Sequence, residues 1–365
     1  MNAPPSAGRR RDRQVYLRSH PFLFAVLVSL RRMPTVRLGR HVVVNSTDGF
    51  VDALTRVPLD RTALSTTGGS ARRFAPGGSH LFDQDAAAHR ASRRTVALDL
   101  GSAGVARLRP VWQDVLDRGL APLGDGRSID VVDIAAEIAG RTALALLELE
   151  DTVDSAELVE AARAVAATAA RSRLTPGLLH TGRRDRVAQA AVDRLHGLVG
   201  TEGSAAVVAA AAVNTSIAAL PRAAAWCADD DLWHHAEDSD TLDNLVTELL
   251  RVTAPSPVLP RAASGPGTVS GRRIVAGDRL ILVARHAADP HGAAPDPAYP
   301  VPSKVSQLVF GTGSHACPGA QLARRQHADL LSALARHRPT VVRARVDRSA
   351  ALPSWASLVM KAGVS

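Results

Sequence analysis

Aromatic residues and cysteines are scarce in this sequence. Aromatics make up only 3% of its 365 residues, so the stacking platforms that single-stranded nucleic acids need are few. The two cysteines, Cys227 and Cys317, are too few for a disulfide framework and too far apart for a paired metal-ligand motif. We therefore predict a protein of the reducing cytoplasm with no nucleic-acid partner, and we keep nucleic acid only as a minor alternative.

The N-terminal region has no apolar run long enough to cross a bilayer, which takes about 20 residues. Its one strongly apolar run extends from Phe22 to Leu30 and ends at Arg31-Arg32. No small-residue cleavage site follows, which argues against an export signal. We expect a buried helix at this run, no membrane contact, and a disordered leader over about residues 1–14.

The chain carries 44 basic and 35 acidic residues, a net charge of +9, and 46% of its residues are apolar. The arginines are scattered in pairs, which favours local anion contacts and an acidic protein partner over a continuous nucleic-acid track. The length allows one large domain or two. Because neither an internal repeat nor a clear linker is present, we predict a single domain over residues 1–365.

Apolar periodicity and the positions of proline and glycine predict a mainly α protein with a small β region. The predicted elements are, in chain order, a helix over Pro21–Arg32, a hairpin of Thr35–Leu38 and His41–Val44, a short helix over Thr47–Leu54, a long, irregular and mobile loop over Thr55–His80, a helical body over Asp85–Val252, strands at Gly271–Val275 and Arg279–Ala284, a proline-rich stretch over Pro290–Pro302, a helix over Gly319–Arg336 and a closing strand pair within Ala351–Ala362. A loop of the length predicted before the helical body is often functional.

The most informative segment is the decapeptide Phe310-Gly-Thr-Gly-Ser-His-Ala-Cys-Pro-Gly319. Its glycines let the backbone fold tightly under a flat cofactor. Cys317 stands at the start of the last predicted helix, where the helix dipole and free N–H groups stabilise a thiolate. A glycine-rich turn around an ordinary thiol would explain any two of these positions. It is a poor explanation of all of them in this order, so we interpret Cys317 as a ligand.

This segment resembles the haem loop of the cytochrome P450 family, F-x-x-G-x-H-x-C-x-G. The fixed positions of that motif are present at Phe310, Gly313, His315, Cys317 and Gly319. The resemblance implies the cytochrome P450 fold, with haem b between a long distal helix and the helix after the Cys loop. It also implies that Cys317 is the axial ligand of the haem iron.

A second motif of the family, E-x-x-R, is present as Glu248 and Arg251. The spacing puts both side chains on one helical face, where they can pair and hold the helix against the loop below the haem. Alone, such a pair is usually a solvated surface bridge; its position before the Cys loop makes it support for the family. The stretch Pro290–Pro302 is short and lacks the arginine that the family usually has there, and Lys304 is the nearest cation.

The resemblance also implies which cations hold the two haem propionates. The family-matching positions are His89, Arg93, Arg261 and His315. His89 and Arg93 share a helical face, although a solvated basic face would explain this pair equally well without the family match. Four further arginines would lie near the thiolate side, where the family docks an acidic electron donor, or on an ordinary solvated surface: Arg90, Arg94, Arg324 and Arg325.

The predicted distal helix, about Gly203 to Trp226, departs from the family pattern of an acid followed by a threonine. In the preferred register, Asn214 takes the place of the acid and Thr215 that of the alcohol; a shift by one residue puts Val213 and Asn214 there. The acid is missing in both registers. An amide cannot donate and recover a proton near neutral pH, so we expect a proton route through the substrate, a water chain or peroxide.

The resemblance implies a haem-thiolate oxidoreductase of the monooxygenase type that oxidises a small organic molecule. It implies electrons from a separate ferredoxin and ferredoxin reductase, since the chain has no flavin motif. By analogy with such soluble bacterial enzymes, we expect a tailoring step in specialised metabolism. Two alternatives stay open: a peroxide-driven or oxidative-coupling catalyst, and a non-catalytic scaffold that activates a partner enzyme.

Overall fold

Segments rich in alanine and leucine form helices through most of the chain that the computed structural model describes, namely residues 6–74, 86–174, 182–200, 204–289 and 291–363. The helices are α1 (Ala7–Ser19), α2 (Pro21–Leu30), α3 (Thr47–Thr55), α4 (Thr67–Phe74), α5 (Ala86–Leu100), α6 (Ser102–Gly124), α7 (Val131–Leu147), α8 (Ser155–Leu174), α9 (Gly182–Val199), α10 (Ala205–Asp229), α11 (Trp233–Glu237), α12 (Ser239–Thr253), α13 (Ala284–Ala287), α14 (Ser303–Ser306) and α15 (Ala320–Ala335). The predicted mainly α class is confirmed.

Short strands form three small sheets beside the helices. The strands are β1 (Thr35–Leu38), β2 (His41–Val44), β3 (Leu59–Asp60), β4 (Ser128–Asp130), β5 (Leu259–Ala263), β6 (Gly267–Val269), β7 (Arg272–Ile274), β8 (Arg279–Leu282), β9 (Thr340–Asp347) and β10 (Ser354–Lys361). The sheets have the orders β1-β2-β8-β5-β3, β4-β10-β9 and β6-β7. β1 and β2 form the predicted hairpin. The antiparallel pairing of β5 with β8 sets Arg261 opposite Leu280.

Helix α10 lies at the centre of the helical core. Ala209, Val213, Ile217 and Leu220 recur at helical spacing and are almost inaccessible to solvent. The helix packs against α7, α8, α12 and α15. Among the described residues, α10 is also the one helix long and apolar enough to cross a membrane, a property that central helices of a protein core share with membrane spans.

The first helix overturns much of the predicted disordered leader over residues 1–14; residues 1–5 lie outside the described part of the chain. The carboxylate of Asp12 on α1 is buried between two guanidinium groups, 2.6 Å from Arg222 Nη2 and 2.9 Å from Arg285 Nη1. These partners follow 210 and 273 residues later in the chain. The N-terminal sequence therefore looks like a solvated basic segment although it forms a buried ion pair.

The predicted loop Thr55–His80 contains regular structure, namely β3 and α4. Between them, a carboxylate oxygen of Asp60 accepts hydrogen bonds from the backbone N–H groups of Thr62 and Ala63, at 2.8 and 3.1 Å. This turn organises the segment without apolar periodicity, which is why the sequence pattern missed it. Residues 75–80 of the predicted loop lie outside the described chain.

The predicted strand pair within Ala351–Ala362 is also corrected. One strand, β10, lies there, and its partner is β9, which was not predicted. Strand β9 is an edge strand of its sheet. Residues 342–347 alternate apolar and polar side chains, the pattern typical of a half-buried strand, so the sequence did carry a signal for β9.

The prediction of a buried helix from Pro21 onward is wrong for most of α2. Only Phe24 and Leu27 are buried in this helix, whereas Phe22 is 88% exposed. An apolar sequence shows that a helix can be buried, but it does not provide a neighbour to cover each face.

Replacing Asp12 with Asn should destabilise the protein by about 3–5 kcal/mol, because two largely buried guanidinium groups lose their carboxylate. Urea unfolding measures the change. The matched control is Asp125→Asn, which breaks an exposed ion pair with Arg127 at 3.0 Å and should cost less than about 1 kcal/mol. Equal effects of the two substitutions would contradict the role of Asp12 in holding α1.

Candidate functional site

The loop before α15 turns tightly at two glycines. Gly311 and Gly313 have φ angles of 74° and 75°, in the left-handed region that favours glycine. The backbone N–H of Cys317 donates to the carbonyl of Phe310 at 2.7 Å, which closes the loop. A Cβ at Gly319 would lie 3.9 Å from the Cys317 sulfur, in ordinary van der Waals contact with it.

The Cys317 side chain is accessible to solvent, although protein atoms enclose much of its surroundings. Burial raises the pKa of its thiol, while the backbone N–H of Gly319 and the positive charge of Arg93 act in the opposite direction. Cys227, the other cysteine, is fully buried, and burial raises its thiol pKa far above the usual range. Cys317 therefore has both an open approach and groups that stabilise a thiolate.

Helix α5 brings two of the predicted propionate ligands to the Cys loop. The rings of His89 and His315 stack with their centroids 3.7 Å apart. One turn further along α5, Arg93 Nη1 donates to the carbonyl of Ala316 at 2.7 Å. The two family-matching residues of α5 and the predicted histidine of the loop thus lie together.

Positive charge is concentrated around His315. Burial lowers the pKa of this histidine to about 3, and further lowering comes, in decreasing order, from the charges of Arg61, His89, Arg261 and Arg93. Within the described chain, each charged group that shifts this pKa is basic. Like charges in one place disfavour the charged forms of their neighbours, so the cluster favours an anionic partner. The two carboxylates of haem fit this requirement.

Arg61 is the member of this basic cluster that the sequence pattern missed. It follows β3 in the segment predicted as an irregular loop. The turn held by the Asp60 carboxylate begins directly before it. No motif or periodicity marks Arg61, since its relation to His315 exists only after the sheet and the Cys loop have folded together.

The E-x-x-R pair is buried on α12, with Glu248 and Arg251 both 1% exposed and joined at 2.5 Å. Arg251 also binds the carboxylate of Asp289 at 2.5 Å. Glu248 accepts hydrogen bonds from the backbone N–H groups of Asp296 and Val301, at 3.3 and 3.0 Å. This network fastens α12 to the proline-rich stretch that leads to the Cys loop.

Two arginines from the N-terminal helices reach the same network. Arg9 Nη1 and Arg31 Nη2 lie 3.3 and 3.6 Å from Asp289 Oδ2. Arg31 also donates to the backbone carbonyl of Asp289. The stretch Pro290–Pro302 itself contains no arginine. The cations beside the network come instead from the N-terminal region, as Arg9 on α1 and Arg31 directly after α2. The sequence gives no sign of these contacts because they join distant parts of the chain.

The side chain of Asn214 points from α10 towards α8. Its amide nitrogen donates to the carbonyls of Ala162, at 3.1 Å, and Ala210, at 2.8 Å. It borders a groove of about 640 Å³ lined by α7, α8, α10 and the end of β9 with the residues that follow it. The Thr215 hydroxyl donates to the carbonyl four residues before it at 2.8 Å, and Val213 is fully buried. The roles of Asn214 and Thr215 in proton transfer stay predictions.

The arginines predicted near the thiolate side have different surroundings. Arg324 is half-buried; its guanidinium lies 5.5 Å from the ring centre of Phe310 and donates to a threonine hydroxyl of α12 at 2.7 Å. Arg94 and Arg325 are exposed. The side chain of Arg90 lies outside the described part of the structure.

The chain is similar in structure to solved cytochrome P450s. CYP175A1 of Thermus thermophillus has a TM-score of 0.76 and 17% sequence identity, covering 95% of this chain and 96% of that chain. A mutant of P450 EryK in complex with erythromycin B has a TM-score of 0.72 and 21% identity, covering 96% and 98%. The mycinamicin VIII C21 methyl hydroxylase MycCI of Micromonospora griseorubida has a TM-score of 0.69 and 19% identity, covering 92% and 96%.

No protein-family model and no curated protein matches the sequence. The structural likeness extends over nearly the whole length of each compared chain. This chain therefore has the cytochrome P450 fold that the resemblance implied.

Replacing Glu248 with Gln should destabilise the protein by about 3–5 kcal/mol, because Arg251 stays buried with less negative charge beside it. Urea unfolding measures the loss, and limited proteolysis within residues 293–301 should become faster. The matched control is Glu237→Gln, which breaks an exposed ion pair with Arg338 at 2.6 Å. A similar loss of stability in both variants would mean that the buried network does not fasten the stretch before the Cys loop.

Proposed function

We propose that this protein is a haem-thiolate oxidoreductase of the monooxygenase type that binds haem b and oxidises a small organic molecule. The observation that carries the proposal is the accessible Cys317 thiol at the start of α15, next to the basic cluster around His315. A scaffold that held no haem would have no physical need for this combination, because concentrated positive charge destabilises a fold unless an anion is bound.

In this proposal Cys317 provides the axial thiolate, and the Gly319 N–H and Arg93 stabilise its negative charge. The propionates are held by the predicted residues together with the newly found arginine: His89, Arg93, Arg261, His315 and Arg61. Phe310 packs at the loop, with Arg324 over its ring. When bound, the haem supplies redox chemistry at its iron, and a thiolate ligand favours oxygen activation.

The proposed substrate is a small molecule of specialised metabolism. The structural neighbours support this class: P450 EryK was solved with erythromycin B, and MycCI with mycinamicin VIII. We assign electron supply to a ferredoxin and its reductase, because an acidic donor would suit the arginines that the resemblance puts near the thiolate side, Arg94, Arg324 and Arg325. A free thiol at Cys317 suits the reducing cytoplasm, where we place the protein.

The distal proton source is the part of the proposal specific to this chain. Asn214 can orient water but cannot donate and recover a proton near neutral pH. The groove that borders Asn214 also contains the carboxylates of Glu160 and Asp347, so we propose bound water from this groove as the proton source. A peroxide-driven or oxidative-coupling reaction is the second candidate, favoured by the absence of an acid at this position in the sequence.

Cys317→Ser should abolish the thiolate spectrum and the reaction. Dithionite-reduced wild-type protein exposed to carbon monoxide should show a strongly red-shifted Soret band, and the serine variant should lack it because its proximal ligand is no longer a thiolate. Cys227→Ala is the matched control and should keep the band, since that cysteine is fully buried within α10. A red-shifted band in the serine variant, or haem-free wild-type protein that co-purifies with another enzyme, would reject the proposal in favour of a scaffold.

Asn214→Asp should raise turnover driven by dioxygen and ferredoxin by about tenfold or more, because a carboxylic acid can donate and recover a proton. Turnover driven by hydrogen peroxide and substrate affinity should stay unchanged. Paired turnover assays and spectral substrate titration measure these quantities. Asn214→Ala is the control without an acid. If the Asp and Ala variants have the same ratio of dioxygen-driven to peroxide-driven turnover, the missing acid does not limit the reaction.

A further inference from the structure

Helix α2 exposes an apolar face. Its ten residues include no charged side chain, and only Phe24 and Leu27 are buried. Phe22 is 88% exposed, Val26 51% and Val28 46%. Soluble proteins rarely expose several large apolar side chains together on one helix, and such a patch usually marks a binding surface.

The helix is fixed to the protein by its other face. Phe24 and Leu27 belong to an apolar cluster with Tyr16, Val43 and Val283. Helical spacing of 100° per residue turns Phe22 and Val26 away from this cluster. The exposed face thus belongs to a helix that is fixed to the fold. Met33, just after the helix, is a further apolar side chain with 43% of its area exposed.

Charge around this helix has one sign. From Arg13 to Thr47 the sequence contains no aspartate or glutamate, and it contains six arginines: Arg13, Arg18, Arg31, Arg32, Arg37 and Arg40. Arg31 and Arg37 are paired with carboxylates of the fold, at Asp289 and Asp278. The other four arginines are exposed. The region therefore presents an apolar helix among exposed cations.

We propose that α2 binds the surface of an anionic lipid bilayer, with Phe22 and Val26 inserted between the lipids and the exposed arginines at the headgroups. An apolar helical face with neighbouring basic residues suits the bilayer interface. The helix is far too short to cross a bilayer. The sequence analysis predicted no membrane contact, and this proposal replaces that prediction with peripheral attachment. It does not depend on the proposed oxidoreductase activity.

Other occupants of this surface fit less well. A second copy of the chain would bring an equally basic region opposite the first, and like charges repel. A protein partner needs a complementary pocket for a protruding phenylalanine, whereas fluid lipid adapts to any shape. The carboxylates that pair with Arg37 and Arg31, those of Asp278 and Asp289, are buried, so they do not cancel the charge of the four exposed arginines.

Vesicle flotation of the full-length protein tests this proposal. Wild-type protein should float with vesicles of equal parts phosphatidylglycerol and phosphatidylcholine and stay behind with pure phosphatidylcholine. The double substitution Phe22→Ser, Val26→Ser should weaken binding at least tenfold, and high salt should weaken binding of the wild type. The matched control, Leu98→Ser with Val342→Ser, removes two apolar side chains elsewhere that are 73% and 61% exposed, and it should bind like wild type.

Circular dichroism and urea unfolding show that each variant is folded. Equal vesicle binding by the wild type and the Phe22, Val26 double variant would overturn the proposal, as would a failure of the wild type to bind. The proposal is also overturned if the double substitution abolishes only self-association, seen by sedimentation velocity, or only binding to a purified acidic ferredoxin. Those results would assign the surface to a second copy or to a protein partner.

Discussion

The buried carboxylates Glu248 and Asp289 hold together parts of the chain that are far apart in sequence, and the Cys loop depends on both of them. Arg251 lies between them, and removal of any one of these charges leaves the others buried and imperfectly compensated. Glu248 binds the stretch before the Cys loop, while Asp289 receives Arg9 and Arg31 from the N-terminal helices. The position of the loop is therefore set by a network as well as by its own turns.

The basic cluster at the Cys loop has the opposite character, because it gathers charges of one sign. Burial is the main cause of the low pKa of His315, and the positive charges of the cluster lower it further, which is the electrostatic cost of bringing them together. Binding of an anion would remove this repulsion, and haem carries two carboxylates that could do so. The same positive charge favours a thiolate at Cys317, through Arg93. One arrangement of cations thus serves both the sulfur and the propionates of the proposed haem.

Local sequence rules predicted the features that local geometry decides. The Cys317 loop and the Glu248 and Arg251 pair were found because motifs fix their spacing over a few residues. Arg9 and Arg61 were missed because their partners lie in distant parts of the chain, 280 residues away for the contact between Arg9 and Asp289. An ion pair between such distant positions produces no regular spacing of residues in the sequence, so a pattern search does not detect it. For the same reason the N-terminal helix looked like a disordered leader.

Helix α2 and the two arginines that follow it show how neighbouring residues of one type take different roles. Arg31 pairs with Asp289, whereas Arg32 is exposed. In the same way, Phe24 is buried and Phe22 is exposed. Phe22 and Val26 take no part in the ion pairs at Asp289, so occupation of this face by lipid would leave that network intact. The proposed lipid binding by α2 and the proposed haem binding at Cys317 therefore use different parts of the fold.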